Sequence, residues 1–267
     1  MNSNAENKNE INKIDVWQET FPIRFGVIDR SDRLTLDAVF QFFQEAAISH
    51  AVRLGVGREA MAETGQVWII SRMTVQVDRR PKYCETVTLR SWPCGFDRLF
   101  AIRDYQIVDK DEKPLISARS AWLVIDIEKR RPIRPQSIMG ILPLNEGLEA
   151  LSPEAGAVVS LPERGDSPDM QKAAERKALY TDIDYNGHVN NVRYIQWIED
   201  SLDPVILENA DRMRLDINYL NEIISGEDVE LFSASIPVEN GAIHSFAFEG
   251  RKTQNNATAF RAELKLW

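Results

Sequence analysis

The chain is short of the residue types that build most specialised sites. It has two cysteines, Cys84 and Cys94, which form neither a metal-ligand pattern nor a disulfide framework; no metal and no cofactor is expected. Histidine is as scarce, at positions 50, 188 and 244. No apolar run approaches the roughly 18 residues of a membrane span, so none is expected. Positive charge is in deficit, 32 Lys and Arg against 41 Asp and Glu, and a net charge of −9 argues against nucleic acid as the main partner. The opening MNSNAENKNEINKID carries Glu6, Glu10 and Asp15, no arginine and no apolar segment. It reads as neither a secretory signal nor a transit peptide, and residues 1–20 read as a solvated arm. A reducing cytoplasm is the expected setting. The remaining 43% hydrophobic and 27% charged composition suits a soluble globular protein with a full core, in one large domain or two smaller ones.

Hydrophobic periodicity divides the chain. Phe21, Ile23, Phe25 and Val27 alternate as in a strand. Leu36, Val39, Phe40, Phe43, Ala47 and Ala51 recur at helical spacing, predicting a helix over 34–54 that Gly55 ends. Strands are predicted near 66–78, 84–93, 97–109 and 115–127, completing a first unit over 21–128. Residues 129–173 carry Pro132, Pro135, Pro143, Pro153, Pro162 and Pro168 without a steady apolar period, and read as a surface connector. The plan then restarts in 174–267: a strand at 174–183, a helix at 190–209, and strands near 213–223, 227–237, 242–251 and 257–266. Pairing Asp184 with Asp29 sets TDIDYNGHVNNVRYIQWIED against GVIDRSDRLTLDAVFQFFQE, and Arg119 pairs with Arg261. Identities are few and the offset drifts, so architecture is what repeats. Each unit is a long helix with a strongly curved antiparallel sheet, an α+β arrangement. The chemistry is not repeated, because Ser31 and Arg33 stand where the second unit has Asn186 and His188.

Asp184, Asn186 and His188 sit two apart, just before the second helix. On an extended backbone they would share one face, beside helix N–H groups that favour negative charge. That combination suits hydrolysis through an oxyanion. The plainer alternative is an Asx-rich turn that merely starts a helix, since Asp, Asn and Gly are favoured there for backbone reasons. Spacing alone does not decide between them. His50, inside the first helix, and His244, opening a strand, read as packing or surface residues.

DIDYNGHVNNVRYIQWIEDSL closely resembles the marker segment of the acyl-acyl carrier protein thioesterases, the plant chain-terminating enzymes and their bacterial relatives. Asp184, Asn186, His188, Val189, Asn190, Asn191, Tyr194 and Trp197 meet the pattern. VWIISRMTVQVDRRPKYCETVTLRSWP and RSAWLVIDIEKRRPIRP resemble its first unit, and the resemblance covers roughly residues 20 to 265. It implies a double hotdog, two helices each wrapped by a curved antiparallel sheet. It also implies a fourth catalytic residue, Glu222, beside Asp184, Asn186 and His188. Where the family carries a cysteine, sometimes proposed as the nucleophile, this chain has Ile223, so hydrolysis is expected to proceed by activated water.

Within that expectation Glu222 takes the proton from water, with His188 orienting the pair; His188 as the base stays open. Asn186 fixes water or imidazole, Asp184 supports His188, and the backbone N–H groups near Val189 and Asn190 hold the oxyanion. The acyl slot is expected in the first unit, with Phe40, Phe43, Trp68, Ile70 and Met73 as candidate liners. The implied partner, acyl carrier protein, is acidic. Arg79-Arg80-Lys82 and Lys129-Arg130-Arg131-Arg134 are therefore the candidate docking clusters. A homodimer is admitted. An acyl-coenzyme A thioesterase on the same fold, a hotdog hydratase and a non-catalytic acyl-thioester binder are the competing readings.

Overall fold

A computed structural model describes residues 15–145, 147–152, 160–164 and 169–267. Most of the predicted arm, with Glu6 and Glu10, lies outside the described residues, as do Pro153 and Pro168. The arm ends earlier than predicted, because a strand, β1, already begins at Trp17 (Trp17–Pro22).

The first unit continues through α1 (Leu36–Arg53), a short α2 (Arg58–Glu63), and strands β2 (Gln66–Val77), β3 (Thr86–Asp97), β4 (Phe100–Val108) and β5 (Pro114–Asp126). After β6 (Arg131–Ile133) and α3 (Gln136–Met139) the second unit runs β7 (Gln171–Lys177), α4 (Asn191–Asp200), α5 (Pro204–Asn209), β8 (Met213–Tyr219), β9 (Asp228–Ser235), β10 (His244–Lys252) and β11 (Thr258–Leu266). The single helix predicted over 190–209 is two. Pro204 has no N–H to continue α4, and it opens α5 at the first helical position, where Asp203 Oδ1 accepts the Val205 N–H at 2.9 Å. The strand predicted at 174–183 stops at Lys177 and gives way to a single 3₁₀ turn, Tyr180–Asp182.

The path through the antiparallel sheet is β1-β3-β4-β5-β2-β8-β11-β10-β9-β7, with β6 beside β5. The order reads alike from either end, so the two units are related by a pseudo-twofold at the β2–β8 seam, where Arg72 pairs with Asn218 and Val77 with Met213. This is the double hotdog that the resemblance implied. Helix α1 lays Leu36, Val39, Phe40, Phe43 and Ala47 on the first half, and α4 lays Val192, Tyr194, Ile195, Trp197 and Ile198 on the second. Both stripes join one core. Each large side chain buried there contributes about 1.5–3 kcal/mol.

Two features frame the sheet. On the face away from the helices, Asp104 pairs with Arg119 at 2.7 Å, and Glu249 with Arg251 at 2.9 Å and Arg261 at 3.3 Å. The connector is pinned to both carboxylates: the Ala150 N–H donates to Asp104 at 2.9 Å and the Arg164 N–H to Glu249 at 3.0 Å. The outermost strands, β1 (WQETFP) and β7 (QKAAERK), are polar and largely exposed.

Candidate active site

The segment from Asp184 to His188 is a tight turn, not the extended stretch that the spacing suggested. The Asp184 N–H donates to the His188 carbonyl at 2.8 Å, and the Gly187 N–H to the Asp184 carbonyl at 3.0 Å. Gly187 sits at φ +84, a conformation that costs other residues strain. Asp184 Oδ1 accepts the backbone N–H groups of Asn186 at 2.8 Å and His188 at 3.4 Å. Its carboxylate therefore builds the Asx turn, and the support it gives His188 passes through the backbone. Asn190 caps α4 by accepting the Val192 N–H at 3.0 Å. The turn and the functional cluster are thus one object: Asp184 bends the chain so that His188 projects sideways.

His188 Nε2 lies 3.1 Å from Glu222 Oε2, and both side chains are partly exposed. A bridge between His188 and Ile224 fixes the spacing of the two segments. Glu222 is braced on its other side by Arg130, 3.5 Å from Oε1, and its backbone carbonyl accepts from Lys252 at 3.2 Å. Ile223 is fully buried and its carbonyl accepts the Val189 N–H at 2.8 Å. This bond corrects one expectation. The Val189 N–H is spent there and the Asn190 N–H is spent on the Asp182 carbonyl at 2.8 Å, so neither faces an oxyanion. The next N–H, that of Asn191, has no partner among the described residues and opens α4 at the cavity wall.

The first unit repeats this backbone with different side chains. The Asp29 N–H donates to the Arg33 carbonyl at 2.8 Å, and Asp29 Oδ1 accepts from the backbone of Ser31 and Arg33 at 2.9 and 3.2 Å. Leu34 donates to Pro81 at 2.9 Å as Val189 does to Ile223, and Arg33 bridges Lys82 as His188 bridges Ile224. Arg80 consequently falls where the second unit has Glu222. It is buried and clamps Asp29 at 2.5 Å, with a further bond to the Leu207 carbonyl at 3.0 Å. Burial works against ionised Asp29, but the Ser31 hydroxyl and the Arg80 guanidinium outweigh it and hold the carboxyl below its ordinary value. The helix start is closed as well. Thr35 makes no cap, and Glu199 of α4 accepts the Leu36 and Asp37 N–H groups at 3.0 and 3.1 Å. Burial, and then the Asp37 carboxylate, push the Glu199 carboxyl up to about 8. The residue matching Glu199 in the first unit is Gln44, which stands beside Asn191 at the second helix start.

Between Asn191 and the interior of the first unit runs a cavity of about 720 Å³. Asp184, Asn186, His188 and Glu222 line it, Asn186 and Glu222 being exposed, and so do Trp68 and the buried Met61, Pro93, Arg103 and Leu142. Of the predicted liners Trp68 and Ile70 face this cavity. Phe40, Phe43 and Met73 do not; they pack in the core with Ile70 around a void of about 20 Å³. Gln44 and Arg103 escaped sequence reading, although Gln44 could have been found from its alignment with Glu199. The motif's Tyr194 and Trp197 are buried in the core, 5.4 Å apart. Neither cysteine lines the cavity: Cys84 is exposed, and burial, then Asp104, push the Cys94 thiol up to about 12.

The first docking cluster dissolves in three dimensions. Arg79 is held by Glu85 at 2.5 Å and Arg80 is buried. In the second, Lys129 is bonded to Asp126 at 2.8 Å, Arg130 reaches Glu222 at 3.5 Å, and Arg131 and Arg134 are exposed. Arg58 of α2 stacks 4.0 Å over the Tyr185 ring. His50 is buried within the first unit, and His244 is exposed and stacked on Phe246 at 6.0 Å. Among the described residues no helix is long and apolar enough to cross a membrane.

Residues 14–138 match the family model described as the acyl-ACP thioesterase N-terminal domain, and residues 166–263 match that of the C-terminal domain. The chain is 27% identical over 239 residues to a chloroplastic palmitoyl-acyl carrier protein thioesterase of Cuphea hookeriana, aligning 85% of this chain with 56% of that protein. It thus spans a little over half the length of this curated relative. A solved acyl-ACP thioesterase from Bacteroides thetaiotaomicron superimposes with a TM-score of 0.77 at 25% identity, covering 94% of this chain and 98% of the other. The 12:0-ACP thioesterase of Umbellularia californica shares the fold, with a TM-score of 0.80 at 22% identity over 94% and 97% of the two chains.

Proposed function

The chain belongs to the acyl-ACP thioesterase family, and we propose that it hydrolyses fatty acyl thioesters on acyl carrier protein, releasing free fatty acid and carrier. The observation that carries this reading is the His188–Glu222 pair, 3.1 Å apart, lining a cavity of about 720 Å³ whose wall is largely apolar side chains. Water between that pair and the thioester loses a proton to Glu222 as its oxygen attacks the carbonyl carbon. His188 orients the carboxylate, and the Asn186 carboxamide, exposed on the same turn, positions the water. The C–S bond then breaks and the proton passes to the leaving thiolate. General base catalysis of this kind is worth about 10²–10⁴-fold.

The oxyanion has a natural place at the start of α4. In the first unit two N–H groups at the matching helix start donate to the Glu199 carboxyl oxygens, an internal example of an acceptor oxygen seated there. In the second unit the Asn191 N–H is the free counterpart and the Gln44 side chain is its neighbour. One such donor is worth roughly 3–4 kcal/mol to the transition state. Chain-length choice follows from apolar burial, at about 0.8 kcal/mol for each buried methylene.

An acidic carrier docks, in this proposal, on Arg58, Arg130, Arg131 and Arg134, a local basic rim on a chain of net charge −9. The free, unpaired cysteines fit a cytoplasmic setting. The test is turnover of carrier-protein thioesters of graded chain length, run beside the matching coenzyme A thioesters. A higher kcat/KM on the carrier thioesters that falls with salt is expected. Equal use of both donors would move the assignment to coenzyme A, and no turnover of either would leave a binder.

A further inference from the structure

Deep in the acyl cavity lies a cation that hydrolysis does not use. Arg103 sits on β4, separated from β8 by β5 and β2, which places it about 14 Å from the β8 end of the cavity at ordinary strand spacing. It is 8% exposed and lines the cavity together with Ala101, Pro93 and Ala51. Its guanidinium donates to Ser91 Oγ at 3.0 Å and stands 3.1 Å from His50 Nδ1. Both neighbours are buried, so the fork is held in one orientation.

No carboxylate among the described residues balances it. Asp104, the next residue, points to the other face and pairs with Arg119. Asp15 pairs with Arg53 and approaches the far nitrogen of His50 at 3.5 Å. His50 supplies no negative charge, and burial, followed by the repulsion of Arg103 and Arg53, keeps its pKa down to about 4. Burial alone drives the Arg103 value down. An unpaired buried charge is costly, and a plain hydrocarbon chain packed against it offers no hydrogen bond in return.

We infer that the cavity is built for acyl chains oxygenated at the end remote from the thioester, with Arg103 as the specificity residue that receives a terminal carboxylate or, less tightly, a hydroxyl. Small side chains in α1, Ala47 and Ala51, leave the passage to it open. The guanidinium fork matches a carboxylate in a two-bond geometry that a methyl group cannot supply. The same group sets the length of chain admitted, because a methyl end must stop short of it or desolvate it.

This inference rests on the acyl cavity of the proposed thioesterase, and its test is arranged so that the two can fail separately. Carrier-protein thioesters of one chain length, ending in carboxylate, hydroxyl or methyl, are compared by kcat/KM in the wild type and in Arg103→Met. The wild type should prefer the carboxylate over the methyl end by at least about tenfold, with the hydroxyl between. Arg103→Met should reverse that order. In parallel, calorimetry with free α,ω-diacids and monoacids of equal length reads the same preference without turnover. A diacid preference lost in Arg103→Met upholds the inference even if no thioester is cleaved. Should the methionine variant not fold, Arg103→Lys, which keeps charge without the fork, should narrow the preference. A methyl-ended chain used or bound as well as the carboxylate, or a preference indifferent to Arg103, overturns it.

Discussion

The turns at Asp29 and Asp184 have one backbone and opposite uses. In both, an aspartate gathers the N–H groups of the following residues, and the chain then enters a long helix. In the first, Arg80 clamps that aspartate and Glu199 seals the helix start, so the turn becomes a joint between the two units. In the second, the places of Arg33, Arg80 and Glu199 are taken by His188, Glu222 and Gln44. The helix start stays open to a cavity and the polar groups stay reachable. A few side chains on a shared frame decide whether the same crevice is sealed between the two units or stays open to the cavity.

The largest expected effect separates the two directly. Glu222→Ala and His188→Ala should each lower kcat by about 10²–10⁴-fold with little change in melting temperature. Near-normal turnover in either would end the distinction drawn here. The mirror experiment, Arg80→Ala, should instead cost about 1–3 kcal/mol of stability in denaturant unfolding, because it leaves the half-buried Asp29 carboxylate without its cation. A silent Arg80→Ala would mean that the first turn is not a joint.

A smaller change tests the helix starts. Gln44→Glu should recreate at α4 the seal that Glu199 makes at α1. Steady-state kinetics should then show kcat down by about tenfold or more, since a carboxylate competes for the place of the oxyanion. Unchanged kcat would remove Asn191 and Gln44 from the oxyanion site. Conversely, Glu199→Gln should flatten a pH dependence. With a folded value of about 8 against 4.5 ordinarily, Glu199 keeps its proton longer when folded. Its stabilisation is therefore complete below about 4.5 and is lost as pH rises through about 8. Thermal melts across that window should show the wild type declining relative to the variant, and parallel curves would exonerate Glu199. Least of all, thiol alkylation should leave turnover nearly intact, because burial keeps the Cys94 thiol protonated and neither cysteine lines the cavity.

Much of this was legible before any coordinates. The stripe from Leu36 to Ala51 marked α1, and the pairing of Asp184 with Asp29 announced the repeat, because periodicity and duplication are local in sequence. The partnership of His188 with Glu222 was reachable only through the family resemblance, since those residues come together through β8 and the bridge at Ile224. Backbone hydrogen bonding stayed hidden. Extended spacing suggested three side chains on one face, but an Asx turn won because Asp184 can bond its own neighbours and Gly187 tolerates a positive φ. The same accounting consumed the N–H groups of Val189 and Asn190, which is why the proposed oxyanion site moves to Asn191. Arg103 gave no local signal at all: an arginine within an alternating strand looks like any solvent-facing residue until β3 and α1 enclose it.

The border strands β1 and β7 limit what a second copy of the molecule can do. Strand addition onto either flank would bring a new backbone against Glu19 on one side, or Lys172, Glu175 and Arg176 on the other. Charged side chains along both margins therefore oppose edge-to-edge growth of the sheet.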